Sequence, residues 1–164
     1  MAVVDIYVND DTEKGKLAQA AKCHGNKVVT IVQTFEIGAS DSANSVYRVF
    51  PDLNPCLIPV DIKILNDVIG ASTNDVDLGL YCGDKGAVID KDCLYDGLDL
   101  HTGHTTTPAN GLAAVDPADR CKQLYELAGH TLANRKDTYD IAITVNTAPS
   151  AAGTVTVIGT FVQG

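Results

Sequence analysis

Tyr139-Asp140-Ile141-Ala142-Ile143-Thr144-Val145-Asn146 and Thr154-Val155-Thr156-Val157-Ile158-Gly159-Thr160-Phe161 decide the fold. In the first stretch Tyr139, Ile141, Ile143 and Val145 alternate with Asp140, Ala142, Thr144 and Asn146. In the second Val155, Val157 and Phe161 alternate with threonines. A two-residue period places successive side chains on opposite faces of a strand, and β-branched residues pack well on a pleated surface. Residues 147–153 are the connection, so the two stretches predict a hairpin or a pair of strands that cross between sheets.

The same period extends towards the N-terminus. In 27–37, Val29, Ile31, Phe35 and Ile37 share one face, and Val28, Thr30, Val32, Thr34 and Glu36 share the other. Gly38 to Ser42 reads as a turn. Ser45 to Phe50 is a short strand stopped by Pro51. Cys56 to Leu65 alternates again, and Pro59, which lacks an N–H, predicts an edge position or a bulge there. In 74–82, Val76, Leu78, Leu80 and Cys82 point in, with Asp75, Asp77 and Tyr81 out as a wet face. Residues 83–115, rich in glycine and holding Thr105-Thr106-Thr107-Pro108, predict short strands and long loops, the longest near 101–112.

One helix is signalled. Asp116 is a cap, Pro117 suits the first helical position, and Ala118, Cys121, Leu124, Tyr125 and Ala128 fall on one face before Gly129 ends it. A strand through 124–127 is the alternative. Six or seven strands with one helix or none predict a mainly all-β chain, an antiparallel sandwich or barrel. Parallel α/β architecture requires a helix after most strands. Residues 1–26 match none of this, so the chain divides into an N-terminal arm, 1–26, and a single domain, 27–164. The arm opens on an apolar stretch holding Val3, Val4, Ile6 and Tyr7, suited to packing on a neighbouring subunit.

Charge narrows the function. The 164 residues carry 12 basic and 21 acidic side chains, a net charge of -9. Nucleic-acid binding requires lysines and arginines to displace counterions from phosphates, so no nucleic-acid partner is expected. No segment approaches the ~20 apolar residues of a membrane span, and none is expected to bind a membrane. Five scattered cysteines, never spaced C-x-x-C, predict reduced and mostly buried thiols and synthesis in a cytoplasm.

The chemistry-bearing residues form no known signature. No G-x-S-x-G, Walker loop or G-x-G-x-x-G is present. His101 and His104 stand beside Asp99, yet their spacing suits no standard zinc motif. Asp90-Lys91-Asp92 starts like a calcium loop, but Leu94 and Tyr95 stand where that loop needs an oxygen ligand and a glycine. No enzyme activity, cofactor or metal is expected. Tyr47, Tyr81 and Tyr95 are the stacking candidates for a carbohydrate-binding alternative.

Several blocks resemble the small decoration and structural proteins of tailed-phage heads. They are Asp41 to Phe50, Asn74 to Tyr81, Gly86 to Asp92, Leu94 to Leu98, Gln123 to Gly129 and Tyr139 to Ala142, followed by the final pair of strands. The resemblance spans about 30–162 and is one of pattern and order. It implies a jelly-roll-like sandwich on the outside of an icosahedral shell, often a trimer, clamping neighbouring major capsid subunits. It implies a virion location and carries no catalytic residue. The major capsid protein and further copies of this chain are the expected partners. The contact residues expected on this reading are Val3, Val4, Ile6 and Tyr7 of the arm, with His101 and His104 of the long loop. A head–tail or tail structural protein of similar fold is the alternative within the same class.

Overall fold

The computed structural model of the chain describes residues 3, 5–7, 28–70, 74–131 and 137–163. The described strands are β1 (Asp5–Tyr7), β2 (Val28–Ile37), β3 (Val46–Leu53), β4 (Leu57–Asn66), β5 (Asp75–Cys82), β6 (Val88–Asp99), β7 (Ala109–Asn110), β8 (Tyr139–Val145) and β9 (Gly153–Gln163). One short helix, α1, spans Leu124–Leu127. Among the described residues no helix is long and apolar enough to cross a membrane.

The pairings follow one rule. β2 pairs with β9, β3 with β8, β4 with β7 and β5 with β6, all antiparallel. From β2 onward the chain doubles back as a long ribbon with its tip between β5 and β6. Rolling that ribbon brings β9 against β4 and β8 against β5. Two sheets result, β2-β9-β4-β7 and β1-β3-β8-β5-β6. The sandwich is as expected, with one departure. β1 runs parallel to β3, with Asp5, Ile6 and Tyr7 opposite Val46, Tyr47 and Arg48. A parallel strand at this edge satisfies β3 backbone groups that would otherwise be open.

The core lies between the sheets and is closed by aromatic pairs. Phe35 of β2 stacks on Tyr47 of β3 at 5.1 Å, and Phe50 of β3 meets Phe161 of β9 edge-on at 5.6 Å. Edge-on and offset rings are the favourable aromatic geometries. Gly159 makes room for the second pair, since a Cβ there would stand 2.7 Å from both rings. The Tyr47 hydroxyl donates to Asp41, whose carboxylate also accepts the Gly38 N–H at 2.8 Å. That ties the β2–β3 turn to β3. Burial, with the Asp41 carboxylate beside it, raises the Tyr47 pKa above its ordinary value.

Several expectations need correction. β3 does not stop at Pro51 but runs to Leu53, with its register shifted on either side of Phe50. The bulge expected at Pro59 is present, between Pro59 and Asp61, and it reverses the faces of β4. Leu57 and Pro59 point inward before it, Ile62 and Ile64 after it. Residues 88–99 form a twelve-residue strand rather than short pieces. The predicted helix is broken. Asp116 caps as expected, accepting the Ala118 N–H at 2.8 Å, but Pro117–Asp119 is only a 3-10 turn. Tyr125 N–H then bonds to Pro55 O at 3.2 Å, so α1 starts anew behind a capping box of Gln123 and Glu126. Gly129 ends it at φ 67°. The described cysteines are free but not deeply buried: Cys56, Cys82 and Cys93 are partly covered and Cys121 is exposed.

Candidate interaction surface

The four-stranded sheet has one face in the core and one open. Strict alternation in β2 and β9 sets both. Val28, Thr30, Val32, Thr34 and Glu36 of β2 lie on the open face, beside Thr154, Thr156, Ile158, Thr160 and Val162 of β9. Beyond the bulge, β4 adds Lys63 and Leu65, and before it Ile58 and Val60. Val28, Val32 and Val60 are 65%, 57% and 52% exposed, high for apolar side chains that share a face. Threonine pairs stitch the rows together, Thr34 to Thr156 at 2.9 Å and Thr30 to Thr160 at 3.3 Å. Lys63 and Asp61 pair at 3.1 Å and cancel, leaving Glu36 of β2 and Asp67, just past the end of β4 beside Thr154, as the unbalanced charges of this face. A sparsely charged, β-branched surface on a chain of net charge -9 is a candidate for contact with another protein.

The outer face of the five-stranded sheet is the opposite case. Asp77 and Tyr81, expected on a wet face, are 2% and 5% exposed. The cause is β6. Between the pairs Leu78–Tyr95 and Leu80–Asp90 it carries extra residues that arch over β5. Lys91 lies directly above Gly79, where a Cβ would stand 2.2 Å from its backbone carbon. Its ammonium pairs with Asp77 at 2.9 Å and donates to Asn146 at 2.9 Å. Next to it Arg48, 1% exposed, bonds Asp140 at 2.8 Å, Cys82 O at 3.1 Å and Gly86 O at 3.0 Å. Its guanidinium also lies 5.1 Å from the centre of the Tyr81 ring. Asp140 accepts the Asp52 N–H at 2.7 Å as well. Burial pushes the Asp140 carboxyl up, against the pull of the Asp52 N–H and Arg48. A hollow of about 370 Å³ opens beside this network, lined by Val46, Arg48, Tyr81, Ala87, Val88 and Thr144. The charges that line it are held by Asp140 and Asp77, so the network is structural.

The residues singled out in the sequence do not form one site. Ile6 and Tyr7 lie in β1, at one edge of the five-stranded sheet. Val3 is 62% exposed, and Val4 lies outside the described residues. His101 and His104 follow β6, at the other edge, with β3, β8 and β5 between. His101 Nδ1 lies 3.0 Å from Gly70 O, and its N–H bonds Asp99 Oδ1 at 3.0 Å. Asp99 Oδ1 also accepts the Asn74 N–H at 2.9 Å, and these two N–H groups help hold its carboxyl below the usual range. His104 N–H bonds Asn66 O at 3.0 Å. His101, His104 and Asp99 therefore anchor the loop to β4 and β5, and among the described residues no group of three or more His, Cys, Asp or Glu is placed to hold a metal. Asp90 and Asp92 lie on the β6 arch, where the Asp92 N–H reaches Asp90 Oδ1 at 3.4 Å. The Cys93 thiol, desolvated and near Asp90, has its pKa pushed up to about 12, which makes it unreactive. Tyr47 and Tyr81 are buried and unavailable for stacking on a sugar.

Sequence reading missed the open face as a site. Its signal was present in the quoted alternation, as outward positions holding valine, isoleucine and threonine where a solvated strand carries charge.

No protein-family model matches the chain, and no curated protein matches it. Two solved structures share its fold. One is a chain in the capsid of Ralstonia phage GP4, with a TM-score of 0.56 at 13% identity, over 87% of this chain and 88% of that one. The other is a chain in the cyanophage Pam1 capsid asymmetric unit, with a TM-score of 0.51 at 15% identity, over 88% of this chain and 92% of that one. At these identities the likeness is one of fold.

Proposed function

We propose that the protein is a non-catalytic virion structural protein that sits on the outside of an icosahedral phage head and reinforces contacts between major capsid subunits. The observation that carries this reading is the open face of the four-stranded sheet, sparsely charged and β-branched on an acidic chain. We read the rolled ribbon as a jelly roll, an architecture common in capsid proteins. The two capsid chains of similar fold support the same class of role. On a shell each copy needs only modest affinity, because binding to the assembled lattice stabilises it by mass action.

Co-sedimentation with shells that lack the protein tests this. Wild-type chain pellets with the shell, and Val60→Asp, which puts a further charge on the open face, pellets at least tenfold less while keeping its circular dichroism. Equal pelleting of the variant would mean that the chain does not dock through this face. A carbohydrate-binding role is the second reading. It rests on a hollow of about 260 Å³ lined by Asn66, Asp67, Thr105, Thr154 and Thr156, whose hydroxyl and carboxylate groups suit a polyol. A glycan array separates the two.

A further inference from the structure

The sandwich has four sheet edges, and three are blunted. One, β1, is three residues long. β6 is bulged in register and carries Asp90, Asp92 and Asp96. β7 is two residues long. These are the devices by which sheets avoid pairing with other chains. The fourth edge, β2, is the least protected. It runs ten residues in unbroken register with β9, without proline or bulge, and Glu36 is its one charged residue. Among the described residues no strand pairs with its other side.

We propose that β2 is a strand-addition site and that its occupant is β2 of a second copy, paired antiparallel about a two-fold axis at Val32. The sequence of the strand is self-complementary in that arrangement. Val32 meets Val32, and Thr30 meets Thr34, repeating the threonine pairs that β2 already makes with β9. Each Glu36 meets Val28, and the two glutamates lie about 27 Å apart at 3.4 Å per residue, so like charges do not oppose. The two four-stranded sheets become one, and their open faces become continuous. A closed two-fold pair also leaves no further β2 edge exposed. The pairing does not depend on the virion reading. It differs from the trimer that the resemblance implies.

Sedimentation velocity of the full chain tests it. The wild type is expected as a dimer. Val32→Lys and Val32→Glu, each at an exposed position, are expected as folded monomers. Mixing the two restores a dimer, because lysine then faces glutamate across the axis. A wild-type monomer or trimer, a Val32→Lys dimer, or a mixture that stays monomeric overturns the proposal. Hydrogen exchange on the wild type keeps the test decisive if a variant fails to fold. Amide protection in 28–37 rises with protein concentration if a second copy covers the edge. Protection that does not change with concentration means that the chain's own residues cover it, and overturns the proposal equally.

Discussion

Among the described residues Arg48 is the bulkiest of the fully buried side chains, and its guanidinium pairs with Asp140 at 2.8 Å. Removing one member of such a pair leaves the other charge desolvated, at a cost of about 3–5 kcal/mol, whereas replacing both with apolar groups is often neutral. Arg48→Met is therefore predicted to lower stability by about that amount, and Arg48→Met with Asp140→Leu to recover most of it. Urea unfolding of the two single variants and the double variant measures the coupling. Asp77 gives the pH dependence. Burial would raise its pKa, but hydrogen bonds from Asn146, Lys91 and the Gly97 N–H outweigh that and hold it below the ordinary carboxylate value. A carboxyl with a lowered folded pKa stabilises the fold fully above its unfolded pKa of about 3.9. That contribution is lost as pH falls through the folded value. Unfolding midpoints measured from pH 6 down to pH 2 should fall less steeply for Asp77→Asn than for the wild type. Neither residue's role was legible in the sequence. Alternation says that Asp77 and Tyr81 share a face but not that another strand lies across it, and Arg48 reads as an ordinary strand residue.

At the scale of elements, legibility followed regularity. β2, β8 and β9 were readable almost residue by residue because their register is unbroken or nearly so. β6 was not, because its arch interrupts the period where the strand crosses β5. The helix signals at Asp116, Pro117 and Gly129 were each genuine, yet the middle was broken by a tertiary bond from Tyr125 to Pro55, which local sequence does not encode. Gly79 is the position on which the arch depends. Gly79→Ala would press a methyl group into the Lys91 backbone, which cannot rotate aside, and should cost about 3 kcal/mol through overpacking. Val88→Thr, on the exposed start of β6, should change stability by less than about 0.5 kcal/mol. Thermal and urea unfolding of the two variants checks the contrast.

At the scale of the molecule, the sandwich was legible but the strand order was not, since pairing β2 with β9 and β3 with β8 joins residues far apart in the chain. The open face follows from that order, because β9 lies between β2 and β4 only once the ribbon has rolled. A sparsely charged face predicts docking that rests on apolar contacts. Exposed ion pairs are screened at high salt and apolar contacts are not, so co-sedimentation with shells should survive about 0.5 M sodium chloride. Whether the chain is a shell-bound structural protein docked through this face is decided by a cryo-electron microscopy map of particles carrying it. Sandwich-shaped density outside the shell is expected, with the β2-β9-β4 face turned towards the major capsid subunits. Particles without such density, or density with the β3-β8-β5 face against the shell, would contradict it.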